Sequence, residues 1–319
     1  DPALLAATDV DVDREYPLAS AATLCRLENR VSREAMTRMS GVFVDQFLSA
    51  HAEPPKEIIL DFDATDDLIH GTQEKRFFHG YYNNYCYLPL YVFCGEHLLC
   101  AYLRPSKIDA AKHAKAVLKL LVERIRQQWP NVKIILRADS GFCRWRLLRW
   151  CENHGVSYII GLARNPLLMA RLEPLSQQAK ALFDASGEKQ RLFEECSYAA
   201  RSWDRERRVI MKAEHSTEGS NSRFIVTNLS GDPQSLYDDV YALRGDMENR
   251  IKEQQQMLFA DRTSCHAFQA NQFRLLLSSA AYVLVQALRQ LALTDTPLAT
   301  AQVTTIRLKL FKIAARVIS

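Results

Sequence analysis

Ile58-Ile59-Leu60-Asp61-Phe62-Asp63-Ala64-Thr65 has the composition of a short apolar strand that ends in carboxylates. Side chains alternate along a strand, so Ile58, Leu60 and Phe62 share one face while Ile59, Asp61 and Asp63 share the other. Aspartate is a poor strand residue. An acid at the end of a buried strand needs a hydrogen bond, a charged partner or a metal ion. Taken alone, the segment is equally consistent with Asp61 and Asp63 simply opening a turn. The same design recurs downstream in Val132-Lys-Ile-Ile-Leu-Arg-Ala-Asp139-Ser-Gly-Phe, a second apolar strand closing on Asp, followed by a helix over Trp145 to His154.

Between these two strands, Tyr85 to Phe93 and His97 to Leu103 flank Cys94-Gly95-Glu96, a hairpin pattern of aromatic and β-branched residues around a Gly-containing turn. Ala110 to Trp129 has helical periodicity, with Val117, Leu120, Leu121 and Ile125 on one side, and Pro130-Asn131 ends it. Val156 to Leu162 is one more buried strand. Three antiparallel strands followed by alternating helix and parallel strand predict an α/β fold, a ribonuclease H-like mixed sheet flanked by helices. That order sets the end of the first strand beside the end of the fourth, at the rim where open sheets bind ligands.

The remainder surrounds this core. Ala21 to about Ala50 repeats apolar residues at helical spacing, with Ser32 placed to cap a second helix. Arg26, Arg30, Arg33 and Arg38 along it are a solvated face more readily than a DNA contact. Residues 164 to 230 interrupt the alternation with a polar helix (Leu172 to Phe183) and strand-like pieces at Arg191 to Ala200, Arg207 to Ala213 and Phe224 to Asn228. These are expected to form a β-rich insertion with its own small sheet. A long charged helix is predicted over Tyr237 to Phe259, an apolar one over Ala267 to Leu293, and an amphipathic one over Thr305 to Val317 carrying Arg307, Lys309, Lys312 and Arg316. The chain thus divides into an N-terminal helical segment (1–54), the first part of the core (55–163), the insertion (164–232), and the second part with C-terminal helices (233–319).

With 319 residues, 48% of them apolar and 24% charged, the chain can bury a substantial core, and its length alone allows about two domains. A net charge of +4 is too small to argue for a nucleic-acid partner, so any basic surface must be local. The eight cysteines lack C-x-x-C or zinc-like spacing and read as free thiols of a reducing compartment. The apolar run Leu275 to Leu293 is broken by Gln286, Arg289 and Gln290, which favours a buried helix over a membrane span. No signal-peptide pattern is present. The opening Asp-Pro is expected to mark a fragment lacking an N-terminal part that recognises DNA.

A third acid lies in Tyr241-Ala-Leu-Arg244-Gly-Asp-Met-Glu248-Asn-Arg-Ile-Lys252. On a helix Tyr241, Arg244, Glu248, Lys252 and Gln255 fall on one stripe. An exposed salt-bridge ladder, at ~0.3–0.5 kcal/mol per pair, explains such a stripe equally well. In combination, however, the three acidic motifs resemble the DDE transposases of bacterial insertion sequences. Their wording (Leu60-Asp-Phe-Asp-Ala-Thr-Asp, Phe78-His-Gly-Tyr-Tyr, Arg137-Ala-Asp-Ser-Gly-Phe, Glu248-Asn-Arg-Ile-Lys-Glu) is similar to insertion-sequence family 1380, over about residues 17 to 290.

The resemblance implies Asp63, Asp139 and Glu248 as catalytic acids and metal ligands, with Asp61 a second candidate on the strand face of Asp63. Tyr241 and Arg244 match the family's Tyr and Arg. The Lys of the broader group is replaced by Gln255, leaving Lys252 as the nearest cation. Three converging carboxylates repel one another and call for a cation or a raised pKa. Oxygen-only ligands suit Mg²⁺ or Mn²⁺, and two such ions about 3.5–4 Å apart hold a scissile phosphate. Attack by water, or by a DNA 3′-hydroxyl, needs no covalent enzyme intermediate, in keeping with the lack of a Ser/His or Cys/His pairing at motif spacing.

The implied partner is double-stranded DNA, bound by a homodimer in the bacterial cytoplasm at the nucleoid, with no membrane. Arg137, Arg144, Arg146 and Arg149, interleaved with Trp145 and Trp150, are the first choice for phosphate contacts. Arg201 to Arg208, around Trp203, form a second basic and aromatic stretch. Trp203 is either a core residue or a stacking platform for a displaced base. His79 and Tyr81 are structural or line the site. A metal-dependent nuclease on the same fold without strand transfer, and a non-catalytic DNA-binding remnant, are the alternatives. The presence of all three acids in order argues against the remnant.

Overall fold

Glu57–Ala64 forms β1, an interior strand of a nine-stranded mixed sheet. The computed structural model describes residues 19–312. On one side β1 pairs antiparallel with β5 (Leu90–Cys94), which continues to β6 (His97–Tyr102); on the other it pairs parallel with β7 (Lys133–Ala138), followed by β8 (Ser157–Leu162). The order β6-β5-β1-β7-β8 is the ribonuclease H-like arrangement expected from the sequence. Helix α3 (Ala114–Gln128) joins β6 to β7, and α4 (Trp145–Asn153) joins β7 to β8.

Both faces of the sheet are covered, which is why β7 reads as a continuous apolar run instead of an alternation. On one face Leu60, Phe62, Ile134 and Leu136 pack against Leu118, Ile125 and Leu148 of α3 and α4. On the other, Ile59, Ile135, Ile159 and Ile225 meet Leu236, Tyr237 and Val240. Leu60 and Phe62 are wholly buried, and each contributes about 2–3 kcal/mol of hydrophobic stabilisation.

The insertion does not form its own sheet. Its β12 (Arg223–Thr227) pairs antiparallel with β8, β10 (Arg207–Ser216) pairs with β12, and β9 (Gln190–Tyr198) and the short β11 (Gly219–Ser220) pair with β10. The physical reason lies at β8. Its Tyr158, Ile159 and Ile160 are fully buried, and an apolar edge left open would be a site for aggregation. Phe224-Ile225-Val226 closes that edge. The preceding helix, α5 (Pro166–Ser186), is longer than expected: Asn165 accepts a hydrogen bond from Leu168 N, Pro166 sits in its first turn, and Gly187 at φ 70° ends it.

A separate three-stranded sheet exists elsewhere. The stretch expected to be one strand over Tyr85 to Phe93 divides at Leu88-Pro89, and its first half, β4 (Asn84–Tyr87), pairs with β2 (Asp67–Leu68) and β3 (Phe77–His79). The helix predicted over Tyr237 to Phe259 is a composite: a π-helical turn at Leu236–Tyr241, a 3-10 turn at Ala242–Arg244, helix α6 (Gly245–Lys252) and a second π-helical turn at Glu253–Met257.

N-terminally, α1 (Ala21–Arg30) precedes α2 (Arg33–Ser49), and the Ser32 hydroxyl accepts from Ala35 N as expected of a cap. Helix α7 (Phe268–Ala292) is long and apolar enough to cross a membrane by length and composition. Here it buries Leu275, Leu276, Tyr282 and Val285, and it packs against α2 and β6. The last helical piece described is Val303–Ile306 with a π-helical turn to Phe311. The predicted continuation to Val317 with Arg316, like residues 1–18, lies outside the described residues. All eight cysteines are free thiols.

Candidate active site

The site is a consequence of strand register. In the parallel pair β1–β7, Asp61 stands opposite Arg137 and Phe62 opposite Ala138. Continuing that register one step sets Asp63 level with Asp139. Both acids follow the two-residue period of Asp61 and Arg137 and therefore belong to the same face. Asp63 Oδ1 accepts a hydrogen bond from Ala64 N at 2.8 Å, and Asp139 Oδ1 accepts from Gly141 N at 2.9 Å, capping the turn Ser140–Phe142.

Across this face runs the composite helix, held by apolar packing of Leu236, Val240 and Tyr241 over β7 and β8. Gly161 on β8 makes the close approach possible: a Cβ there would lie 2.6 Å from the Tyr241 hydroxyl and 2.8 Å from Ser140 N. Arg137 fastens helix and strands together. Its Nε and Nη2 donate to the two carboxylate oxygens of Asp61 at 2.5 and 2.7 Å, and its Nη1 donates to the Val240 carbonyl at 2.5 Å. At 7% exposure Arg137 is unavailable to a DNA phosphate, which corrects its assignment as a DNA contact. Burial pushes the Asp61 carboxyl up and Arg137 pulls it back. With both oxygens engaged, Asp61 is a structural partner of Arg137.

The helix delivers Arg244 and Glu248 to the same place. Arg244 Nη2 lies 3.0 Å from Glu248 Oε1 and Nη1 lies 4.0 Å from Asp63 Oδ2, so its guanidinium stands between the first and third acids. Asp63 is pushed up to about 7, first by burial and then by the neighbouring Asp139 charge; Arg244 and the Ala64 N–H oppose the shift, and Glu248 adds to it. The three acids thus share one electrostatic neighbourhood. As arranged, no three His, Cys, Asp or Glu side chains among the described residues are close enough to hold one ion, and Glu248 is engaged by Arg244. The donor set is nonetheless all carboxylate, and the repulsion between Asp63 and Asp139 is what a hard divalent cation relieves.

The other expected residues divide. Tyr241 packs beside Asp139, and burial pushes its hydroxyl up, with Arg244 opposing. Lys252 stands exposed one turn beyond Glu248. Gln255 donates from Nε2 to the Asp66 carbonyl at 3.0 Å and so ties the helix to the loop after β1. Arg144 is half-exposed and paired with Asp109 at 2.5 Å, Arg146 is exposed beside the Trp145 ring, and Arg149 lies 3.8 Å from Asp204. The Arg201 to Arg208 stretch is largely structural: Arg207 is buried against Glu152 and Asp204, and Trp203 packs between Arg207 and Tyr198 against the core. Tyr82 was not singled out in the sequence. Its hydroxyl donates to the Ala64 carbonyl at 3.3 Å, one residue from Asp63. The motif Phe78-His-Gly-Tyr-Tyr marks its neighbourhood, but no periodicity distinguishes Tyr82 from Tyr81.

A ribonuclease H-like sheet bearing two acids at adjacent strand ends, with a third on a following helix, defines a domain of the nucleic-acid-processing class. The whole chain, residues 1–319, matches the family described as Transposase DDE domain group 1, and the chain belongs to that family. Among solved structures it is similar to a piggyBac transposase, seen by cryo-EM in a synaptic complex with hairpin DNA, at 7% identity and a TM-score of 0.47. That likeness covers 91% of this chain and 58% of the other, so the chain spans little more than half the length of that transposase. No curated protein matches it.

Proposed function

We propose that this chain is the catalytic core of a bacterial insertion-sequence transposase of family 1380, cleaving DNA at the element ends and joining them to target DNA, with Asp63, Asp139 and Glu248 as its acidic triad. What supports the reading is the strand register, which ends at Phe62–Ala138 and continued one step brings Asp63 level with Asp139, together with the rise of Asp63 to about 7 by burial and by its acidic neighbour. A purely structural acid pair gains nothing from such repulsion, whereas perturbed carboxylates gather at functional sites.

Asp63 and Asp139 would hold Mg²⁺ or Mn²⁺, two ions per site, with Glu248 joining them on leaving Arg244. When bound, the ions supply the charge that activates the attacking oxygen and stabilises the departing one. The chain's own part is positional. Tyr241 and Arg244 border the acids, Lys252 stands exposed one turn beyond Glu248, and Arg144 at the start of α4 and Arg146 within it would grip the phosphate backbone. The attacking group is water in nicking and a DNA 3′-hydroxyl in joining, and in each case one P–O bond forms as another breaks. The partner is double-stranded DNA, engaged by a homodimer in the cytoplasm.

The test uses a pre-cleaved end taken from the DNA flanking this gene, a target plasmid and Mg²⁺. Joined products are expected, and their loss is expected in Asp139→Asn with the fold intact by circular dichroism. Nicks without joining would reduce the reading to a nuclease. A fully active Asp139→Asn protein would overturn it.

A further inference from the structure

The small sheet beside the acids exposes aromatic surface that its own packing does not use. Phe78 is 54% exposed, Tyr81 85% and Tyr85 43%. Phe78 and Tyr85 are a cross-strand pair of β3 and β4, so they share one face, with ring centroids 5.6 Å apart. Tyr81 stands at the tip of the connecting turn, perpendicular to Tyr82 at 5.0 Å. Asn83 at φ 52° reverses the chain there.

The tip is not a remote loop. Tyr82 is bonded to the Ala64 carbonyl, next to Asp63, and it feels the charges of Asp63 and Asp139. One cation borders this face: the Arg76 guanidinium lies 3.8 Å over the Tyr85 ring, whereas Lys107 Nζ, 5.5 Å over Phe77, belongs to the opposite face of the sheet. Clustered exposed apolar surface marks a binding site. Exposed rings bordered by the Arg76 cation and set next to the acids fit one ligand chemistry, bases whose faces are free. A duplex hides its base faces in the stack, whereas unpaired nucleotides offer them to aromatic side chains while their phosphates meet Arg and Lys.

We infer that the β3–β4 hairpin, through Tyr81, Phe78 and Tyr85, is a stacking site for unpaired nucleotides of the DNA strand next to the scissile phosphate. The preferred substrate is then a DNA end that is single-stranded or frayed beside the cut. This inference rests on the proposed function for the identity of the strand, but stacking itself needs no chemistry.

The test measures binding of the metal-free protein to a duplex carrying a short single-stranded overhang and to its blunt counterpart, with 2-aminopurine in the overhang. The overhang is expected to bind more tightly and its fluorescence to be quenched. Tyr81→Ala and Phe78→Ala should each weaken overhang binding by about 5- to 150-fold, the range for loss of one stacked base, while leaving blunt-end binding within about twofold. Tyr81→Trp should restore both signals. Equal binding of the two DNAs, or quenching unchanged in Tyr81→Ala, would overturn the inference. Because Tyr81 is almost fully exposed, an unchanged melting temperature controls for folding. A protein that discriminates overhangs but never cleaves refutes the catalytic reading alone, and one that joins DNA with Tyr81→Ala indistinguishable from wild type refutes the stacking site alone.

Discussion

Asp63→Asn is expected to stabilise the metal-free protein, and to do so only where Asp63 would be ionised. Burial and the Asp139 charge move the Asp63 carboxyl from its ordinary 3.8 to about 7. The native state therefore keeps a proton that the unfolded chain has lost between those values, and stability falls as pH rises through about 7. At ~1.4 kcal/mol per tenfold change in proton affinity, that rise is worth about 4 kcal/mol at pH 8 and little below pH 4. Asn keeps the oxygen that accepts from Ala64 N and cannot ionise. For a chain of this size roughly 2 °C accompanies each kcal/mol, so the melting temperature should rise by about 5–8 °C at pH 8. The assay is thermal unfolding of both proteins from pH 4 to pH 8 in chelator. Mn²⁺ should raise the melting temperature of the wild type more at pH 8 than at pH 5, and leave Asp63→Asn unmoved. Asp139→Asn should shift the wild-type pH dependence to lower pH by removing the neighbouring charge. An Asp63→Asn protein no more stable than wild type at pH 8, or equally stabilised at pH 4, would refute the reasoning.

Arg137→Ala strands Asp61 as a buried, unpaired carboxylate and should cost about 3–5 kcal/mol by denaturant unfolding, with Asp61→Asn recovering part of it. Arg146→Ala should lower DNA affinity evenly across sequences and reduce the salt slope by about one. Arg144→Ala should do less, since Asp109 already holds that side chain; both are read by anisotropy across a salt series. Asp67 is 1% exposed, both its oxygens lack a partner, and burial, with Asp261 and Asp66 behind it, raises its carboxyl well above the ordinary range. The folded protein keeps that proton well above the ordinary carboxyl range, so the stability it contributes is complete below about pH 4, where the unfolded chain is protonated too, and is lost as pH rises toward the raised value; Asp67→Asn should therefore raise the melting temperature at pH 8 and leave it unchanged at pH 4.

The core strands were legible because their apolar runs are bounded by turns, and Asp61, Asp63 and Asp139 drew notice because they interrupt or close those runs. What the sequence hid is what pairing decides at a distance. Arg137 looks like one of four cations around Asp139, and only Asp61, 76 positions away, turns it inward. The strands at 190–227 look independent because nothing local reveals that β8 has an open apolar edge for them to cover. Of the stripe Tyr241, Arg244, Glu248, Lys252 and Gln255, Arg244 and Glu248 stay within 3.0 Å of each other although the helix carrying them changes winding at Tyr241 and again at Arg244. Packing of Leu236 and Val240 on the sheet fixes where that helix lies, so that pair survives the irregularity.

The Asp61–Arg137 rung of the β1–β7 ladder and the level just past the ladder's end show how small the step is from scaffold to site. Asp61 and Arg137 face one another on the first rung, and opposite charges close it into a buried bidentate pair. Two residues on, just past the last pair of the ladder, Asp63 is exposed to the charge of Asp139, and like charges leave that level open. Arg244, from the helix above, reaches Asp63 only at 4.0 Å while holding Glu248 at 3.0 Å. The two levels share a strand face, so the residue that stands on the β7 side distinguishes them. An Arg there makes a strut; an Asp makes a pair of like charges that Arg244 offsets only in part, and the Asp63 carboxyl is raised as a result.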